Sequence, residues 1–233
     1  MVSTTPVDRE VIVIAVIAAS FLPAYLLGAL PFGLIVSRFF GIRDIRNHGS
    51  GNTGATNVWR VAGFRAAAWV YACDIGKGAA AVAIAHFVVG RFDTAPFGKD
   101  AFLILSGLAA VLGHIFPVYL RFKGGKGVST AFGAMVMLLP LESLAGLLIF
   151  GIVAATTRFM SLGSIAGVVS FASLVVVEKF VLRFEIALIY PLLAVALAAL
   201  IVVAHRRNIR RLIDGHEKRF SFSTRSGETR GET

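Results

Sequence analysis

The sequence predicts an all-α, polytopic membrane protein of about seven transmembrane helices, N-terminus outside and C-terminus cytoplasmic. Three observations predict it. Hydrophobic residues make up 57% of the 233 residues and charged residues only 15%, against roughly 25% charged in soluble domains. Apolar segments approaching the ~20 residues that a helix needs to cross a bilayer recur along the chain. With seven crossings drawn, every basic cluster falls on one side, as the positive-inside rule requires.

The first segment runs from Val11 to Val36. It reads as an uncleaved helix, because "MVSTTPVDRE" carries two acids and one arginine rather than the basic start of a signal peptide. Ala66 to Gly90 and Ala101 to Leu120 form the next two spans. The stretch from Val128 to Ala155 is one helix or two. A single span would bury Glu142 at the bilayer midplane, at a cost of ~2.5 kcal/mol or more. Two short helices, Val128 to Pro140 and Leu141 to Ala155, avoid this by turning at Pro140 and Glu142. Leu162 to Val177 and Ile186 to Ala204 complete the set. One integral domain, residues 1–219, is expected, with a disordered tail over 220–233 whose few apolar residues cannot form a core.

On the inner side this arrangement collects Arg38, Arg43, Arg46, Arg60 and Arg65, then Arg121, Lys123 and Lys126, then Arg158 and the C-terminal cluster. The outer side keeps Arg9, Arg91, Lys99, Lys179 and Arg183, with acids among them. The net charge of +10 is therefore topological, and no nucleic acid partner is expected. The single cysteine, Cys73, excludes an internal disulfide and a cysteine-based zinc site.

Three polar stretches then face the cytoplasm together. "HGSGNTGATNVWR", His48 to Arg60, offers hydroxyls, amides and backbone from Ser50, Asn52, Thr53, Thr56 and Asn57, with Arg60 following. Such groups hydrogen-bond tetrahedral anions or a small polyol, and arginine clamps phosphate through two donors. The plainer alternative is a capped helix start, with Asn52 or Thr53 as N-cap. "RFKGGKGVST", Arg121 to Thr130, is a cationic turn entering a helix. Gly124 and Gly125 let the backbone aim N–H groups at an anion, and Lys123 and Lys126 add full charges. A flexible basic connector is the alternative. A nucleotide P-loop fits poorly, because Val128 precedes Ser129 where that pattern needs lysine.

"HRRNIRRLIDGHE", His205 to Glu217, reads as a helix continuing out of the last span. His205, Asn208 and Arg211 share one face at three-residue spacing; binding of anionic lipid headgroups is the competing use. Within the spans, Asp74 and Lys77 either neutralise each other or line a polar cavity. "TTRFMSLGS" sets Arg158, Ser161 and Ser164 on the inner side, where capping serines would be the bland reading. No nucleophilic triad and no metal-ligand cluster is legible, so the convergent groups suit phosphate recognition and stabilisation of developing negative charge.

With these three stretches in fixed order, the sequence closely resembles the bacterial acyl-phosphate:glycerol-3-phosphate acyltransferases. The likeness rests on "GSGNTGATNVWR", "GHIFPVYLRFKGGKGVSTAFG" and "HRRNIRRLIDGHE", with "DIGKG" and "TRFMSLGS" in support, and spans His48 to Glu217. Thr53 stands where many relatives have proline. The resemblance implies transfer of a fatty acyl group from acyl phosphate to the sn-1 hydroxyl of glycerol 3-phosphate, the first step of bacterial phospholipid synthesis. No cofactor and no metal is implied, and the implied partners are the two substrates, membrane lipid and the enzyme that supplies acyl phosphate. Ser50, His205 and Asn208 take the catalytic roles, His205 and Asn208 orienting substrate or stabilising the oxyanion. Asn52, Thr56, Asn57, Arg60, Lys123, Gly124, Gly125, Lys126, Ser161 and Arg211 bind substrate, with the membrane site facing the cytoplasm. An anion transporter or a lipid-binding scaffold would share parts of this pattern.

Overall fold

The computed structural model describes residues 6–92 and 98–221. All its regular elements are helical: α1 (Pro6–Ala29), α2 (Phe32–Phe39), α3 (Ala55–Phe92), α4 (Lys99–Ile115), α5 (Val128–Val136), α6 (Pro140–Thr157), α7 (Met160–Phe180), α8 (Ile189–Ala204) and α9 (Arg206–Ile213), with single 3-10 turns at Ile45–Asn47 and Val118–Leu120.

Four segments are long and apolar enough to cross a membrane, Ala55–Arg91, Lys99–Leu120, Pro140–Thr157 and Met160–Phe180. The count becomes six when the bent pairs α1–α2 and α8–α9 each serve as one span. Three expectations change here. The first segment is not one helix, because it bends by about 40° between Ala29 and Phe32. Pro31 supplies no N–H and forces Leu30 out of the α region. The segment from Val128 is a separate helix, as the two-helix reading expected, but its nine residues reach only ~13 Å, less than half the ~30 Å hydrocarbon core. Finally, α9 does not extend α8: the chain bends by 60° at His205.

Helices approach closely where side chains are smallest, as is usual where lipid removes the hydrophobic drive between helices. Gly28 of α1 lies on the Ala110 backbone of α4, Gly78 of α3 on Thr130 of α5, Gly133 of α5 on Ile75 of α3, and Gly146 of α6 on Gly167 of α7. The main core, from Val82 and Ala85 through Phe102, Val111, Phe171 and Val175 to Ile201, joins α1, α3, α4, α5, α7 and α8.

Two breaks position the site. Gly63, at φ 82°, interrupts α3, so residues 55–62 form a short helix set apart from the spanning part. Near the other break, Lys77 donates to the Leu30 carbonyl at 3.1 Å while pairing with Asp74 at 2.8 Å. Both alternatives for this pair hold, since the charges neutralise each other and Asp74 also lines the cavity described next.

Candidate active site

All thirteen residues to which the resemblance gives catalytic or substrate-binding roles line one cavity of about 830 Å³. The first motif forms one wall through a tightly folded loop. The Asn57 amide donates to the carbonyls of His48 (3.0 Å) and Asn52 (2.9 Å), and its carbonyl oxygen accepts from Ser50 N–H at 2.7 Å. Asn52 accepts from Gly54 N–H at 2.7 Å, an Asx turn ahead of α3. Asn57 was expected to touch substrate; its buried amide is instead committed to the loop. Asn52 does not cap α3, which begins at Ala55. Ser50 is exposed at the mouth. The Thr56 hydroxyl lies 3.3 Å from that of Tyr71. Arg60 donates one guanidinium N–H to the Lys218 carbonyl at 3.2 Å, while its buried Nε has no partner among the described residues.

The second wall is the glycine loop. Gly124 and Gly125 N–H were expected to face an anion, yet they donate to the carbonyls of Ile115 (3.2 Å) and His114 (3.1 Å). Their glycine identity has a steric cause: a Cβ on Gly124 would strike the His114 carbonyl and Pro117, and one on Gly125 the His114 ring. The first turn of α5, whose N–H groups lack helical acceptors, lines the cavity through Gly127, Val128 and Ser129. The His114 ring is held in turn by Thr130, whose hydroxyl lies 3.1 Å from Nδ1, with Asp74 at 3.6 Å. Lys123 is exposed and Lys126 is buried to a greater degree. Burial pushes the Lys126 ammonium down to about 8, Glu217 opposes that shift, and Arg211 and Arg60 add to it.

The third wall centres on a residue that the sequence reading did not select. Glu217 accepts from the Ser161 hydroxyl (2.7 Å), the Asn208 amide (2.6 Å) and Arg211 Nε (2.7 Å). Burial alone would raise its carboxyl, but these hydrogen bonds outweigh it and hold the group below the usual carboxylate range. An acid in an anion site looks out of place in a sequence; its purpose is visible only from the three donors it orients. Tyr71 and His114 were missed as well, being polar residues inside apolar runs with no spacing signal. His205 sits at the α8–α9 bend, nearly buried, with Nδ1 2.8 Å from the Ile201 carbonyl. Nδ1 must donate to that carbonyl, which leaves Nε2 as an acceptor in the neutral ring.

From this polar end the cavity continues between α5, α6, α7 and α8 as an apolar trough lined by Met135, Leu147, Phe150, Val168, Phe171, Leu197 and Leu200. Ser161 and Phe171 mark its ends on α7, ten residues or ~15 Å apart. That length matches one leaflet of a ~30 Å hydrocarbon core, and so one lipid tail. Among the described residues, no group of three or more His, Cys, Asp or Glu could hold a metal ion.

A helical membrane bundle that joins a cationic cradle to a tail-length apolar trough defines a class: integral membrane proteins that handle an anionic headgroup together with a lipid chain. The chain belongs to the glycerol-3-phosphate acyltransferase family, whose model matches residues 18–215. It is 44% identical over 207 residues to glycerol-3-phosphate acyltransferase 3 of Dehalococcoides mccartyi, covering 87% of this chain and 94% of that protein. It is 40% identical to the glycerol-3-phosphate acyltransferase of Salinibacter ruber, over 85% and 90% of the two chains. Its fold is similar to that of PlsY (YgiH), an integral membrane glycerol 3-phosphate acyltransferase. The crystal structure of the glycerol 3-phosphate form gives a TM-score of 0.75 at 37% identity, covering 86% of this chain and 94% of that one. The lysophosphatidic acid form gives 0.73 at 35% identity.

Proposed function

We propose that this acyltransferase moves a fatty acyl group from acyl phosphate to the sn-1 hydroxyl of glycerol 3-phosphate, at the cytoplasmic face of the bacterial inner membrane. The observation that carries the reading is the continuity of the cationic cradle with the apolar trough. A lipid-soluble donor and a water-soluble acceptor can meet only at such a boundary.

Arg60, Lys123, Lys126 and the first turn of α5 hold the phosphate groups, and Arg211, aligned by Glu217, completes the cradle, while Ser161, its one proton given to Glu217, fixes that carboxylate in place. Asn57 shapes the loop rather than the substrate. Ser50 and Thr56 offer hydroxyls to the acceptor. The neutral His205 accepts the acceptor hydroxyl at Nε2 and orients it; with its proton committed to Ile201, it has none to give an oxyanion. Oxyanion stabilisation therefore falls to Asn208 and the cations. The hydroxyl oxygen attacks the acyl carbonyl carbon, the bond from that carbon to the phosphate oxygen breaks, and the departing phosphate takes the hydroxyl proton. Lysophosphatidic acid and inorganic phosphate result. A separate enzyme that supplies acyl phosphate is the implied partner.

Purified protein given palmitoyl phosphate should release inorganic phosphate only when glycerol 3-phosphate is added, with lysophosphatidic acid appearing in equal amount. Release that ignores glycerol 3-phosphate, or uptake of it into sealed vesicles without product, would replace this reading with hydrolysis or transport.

A further inference from the structure

The family match stops at residue 215, but the packed chain does not. After α9 the backbone turns at Gly215, φ 71°, and residues 217–221 continue without regular structure, Glu217 lining the cavity. Glu217 gathers Ser161, Asn208 and Arg211. The Lys218 carbonyl accepts from Arg60. The Arg219 guanidinium lies over the Phe159 ring at 5.7 Å. Phe220 N–H donates to the Arg158 carbonyl at 2.7 Å. The Phe220 ring is 2% exposed and packs in a cluster with Ala154 and Met160. It meets Trp59 edge-on, centroids 4.6 Å apart.

Beyond Glu217, the buried ring is the contact that water cannot replace: Lys218 and Arg219 are exposed, so their contacts compete with solvent, whereas apolar burial does not. The placement of Trp59 gives the grip a consequence. Trp59 precedes Arg60 on the short helix of residues 55–62, which Gly63 separates from the spanning part of α3. The span therefore does not by itself fix the direction of Arg60. The strap ties this helix to the α6–α7 turn.

We propose that Phe220 is a positioning residue: seated against Trp59 and Met160, it anchors residues 217–221 as a strap that aims Arg60 and Glu217 at the phosphate site. The inference rests on the acyl-acceptor reading above. It acts through Arg60 and Glu217, and Phe220 itself touches no substrate.

The test uses the full-length protein carrying Trp69→Phe, which leaves Trp59 as the sole tryptophan of the two in the chain. Phe220→Ala should shift Trp59 emission to the red and raise its quenching by acrylamide. KM for glycerol 3-phosphate should rise at least tenfold while kcat stays within threefold. Phe220→Leu, which refills most of the cleft, should restore both. A fall in kcat at unchanged KM would mean that Phe220 only keeps the protein folded, and unchanged Trp59 emission would mean that the strap is not held by this ring; either overturns the proposal. Should the parent protein itself release no phosphate with glycerol 3-phosphate, the functional reading fails separately. The strap is then decided by Trp59 emission and by calorimetric affinity for inorganic phosphate, which Phe220→Ala should lower tenfold.

Discussion

Arg60 concentrates the charge chemistry of the site in one side chain. One N–H is held by Lys218, and the buried Nε has no partner among the described residues, so a donor stands ready for an anion. A charge-assisted hydrogen bond contributes ~1.5–3 kcal/mol, so Arg60→Ala should lower kcat/KM by one to two decades. Arg60→Lys should rescue poorly, because an ammonium cannot make the two-pronged contact. Lys126 sets a pH dependence. Its folded value of about 8 lies below the ordinary 10.5. Between those values the unfolded chain keeps a proton that the folded protein has shed, so stability rises with pH through that window. Anion affinity runs the other way: kcat/KM should fall as pH rises past about 8, and Lys126→Arg should remove that limb. Cys73 does not line the cavity, and Cys73→Ala should retain activity. A hydroxylamine-sensitive acyl group on the protein, lost in that variant, would contradict this.

Among the elements, the glycine loop and the trough make separate demands. Gly125→Ala puts a methyl into the His114 ring; overpacking of this kind costs ~1–3 kcal/mol and should lower thermal stability and turnover together. Val168→Trp, in the trough wall, should depress turnover of long-chain acyl phosphates more than that of short ones, measured across donors of increasing length. Much of this level was legible beforehand. The polar stretches stood out because small, polar and cationic residues interrupt apolar runs, and all thirteen residues drawn mainly from them do line the cavity. Their duties were less legible. Asn57 and an active-site asparagine look alike in a motif, and only the hydrogen bonds at 2.7–3.0 Å show that one of them braces the loop.

Across the whole molecule, the asymmetry of Lys and Arg makes a claim about orientation. A cytoplasm-specific reporter fused after Ser221, beyond the strap, should be active, while one that works only outside should be silent. The opposite pattern would invert the topology and put the cradle on the wrong side for its acceptor. Truncation after Ser221 removes Arg225 and Arg230, which lie outside the described residues and all three motifs, and should leave turnover within twofold. Truncation after Glu217 also removes the Phe220 anchor and should raise KM for glycerol 3-phosphate at least tenfold, as Phe220→Ala does. Phe220, one residue beyond the expected boundary at 219, is buried against Trp59 and Met160; residues 222–233 of the expected tail lie outside the described residues. Two phenylalanines in a Ser-rich tail, Phe220 and Phe222, make too short a pattern to read, and the burial of Phe220 depends on a cleft assembled from residues 60 to 161 positions away. By itself the sequence determined the membrane class, the approximate placement of the apolar segments and the identity of the polar groups, because hydropathy, charge asymmetry and compact motifs are local properties. Only the tertiary structure decided the bends at Gly63 and His205, the partial depth of α5, the hub at Glu217 and the strap. Each of these depends on which distant backbone carbonyls and side chains meet, and no local pattern encodes that.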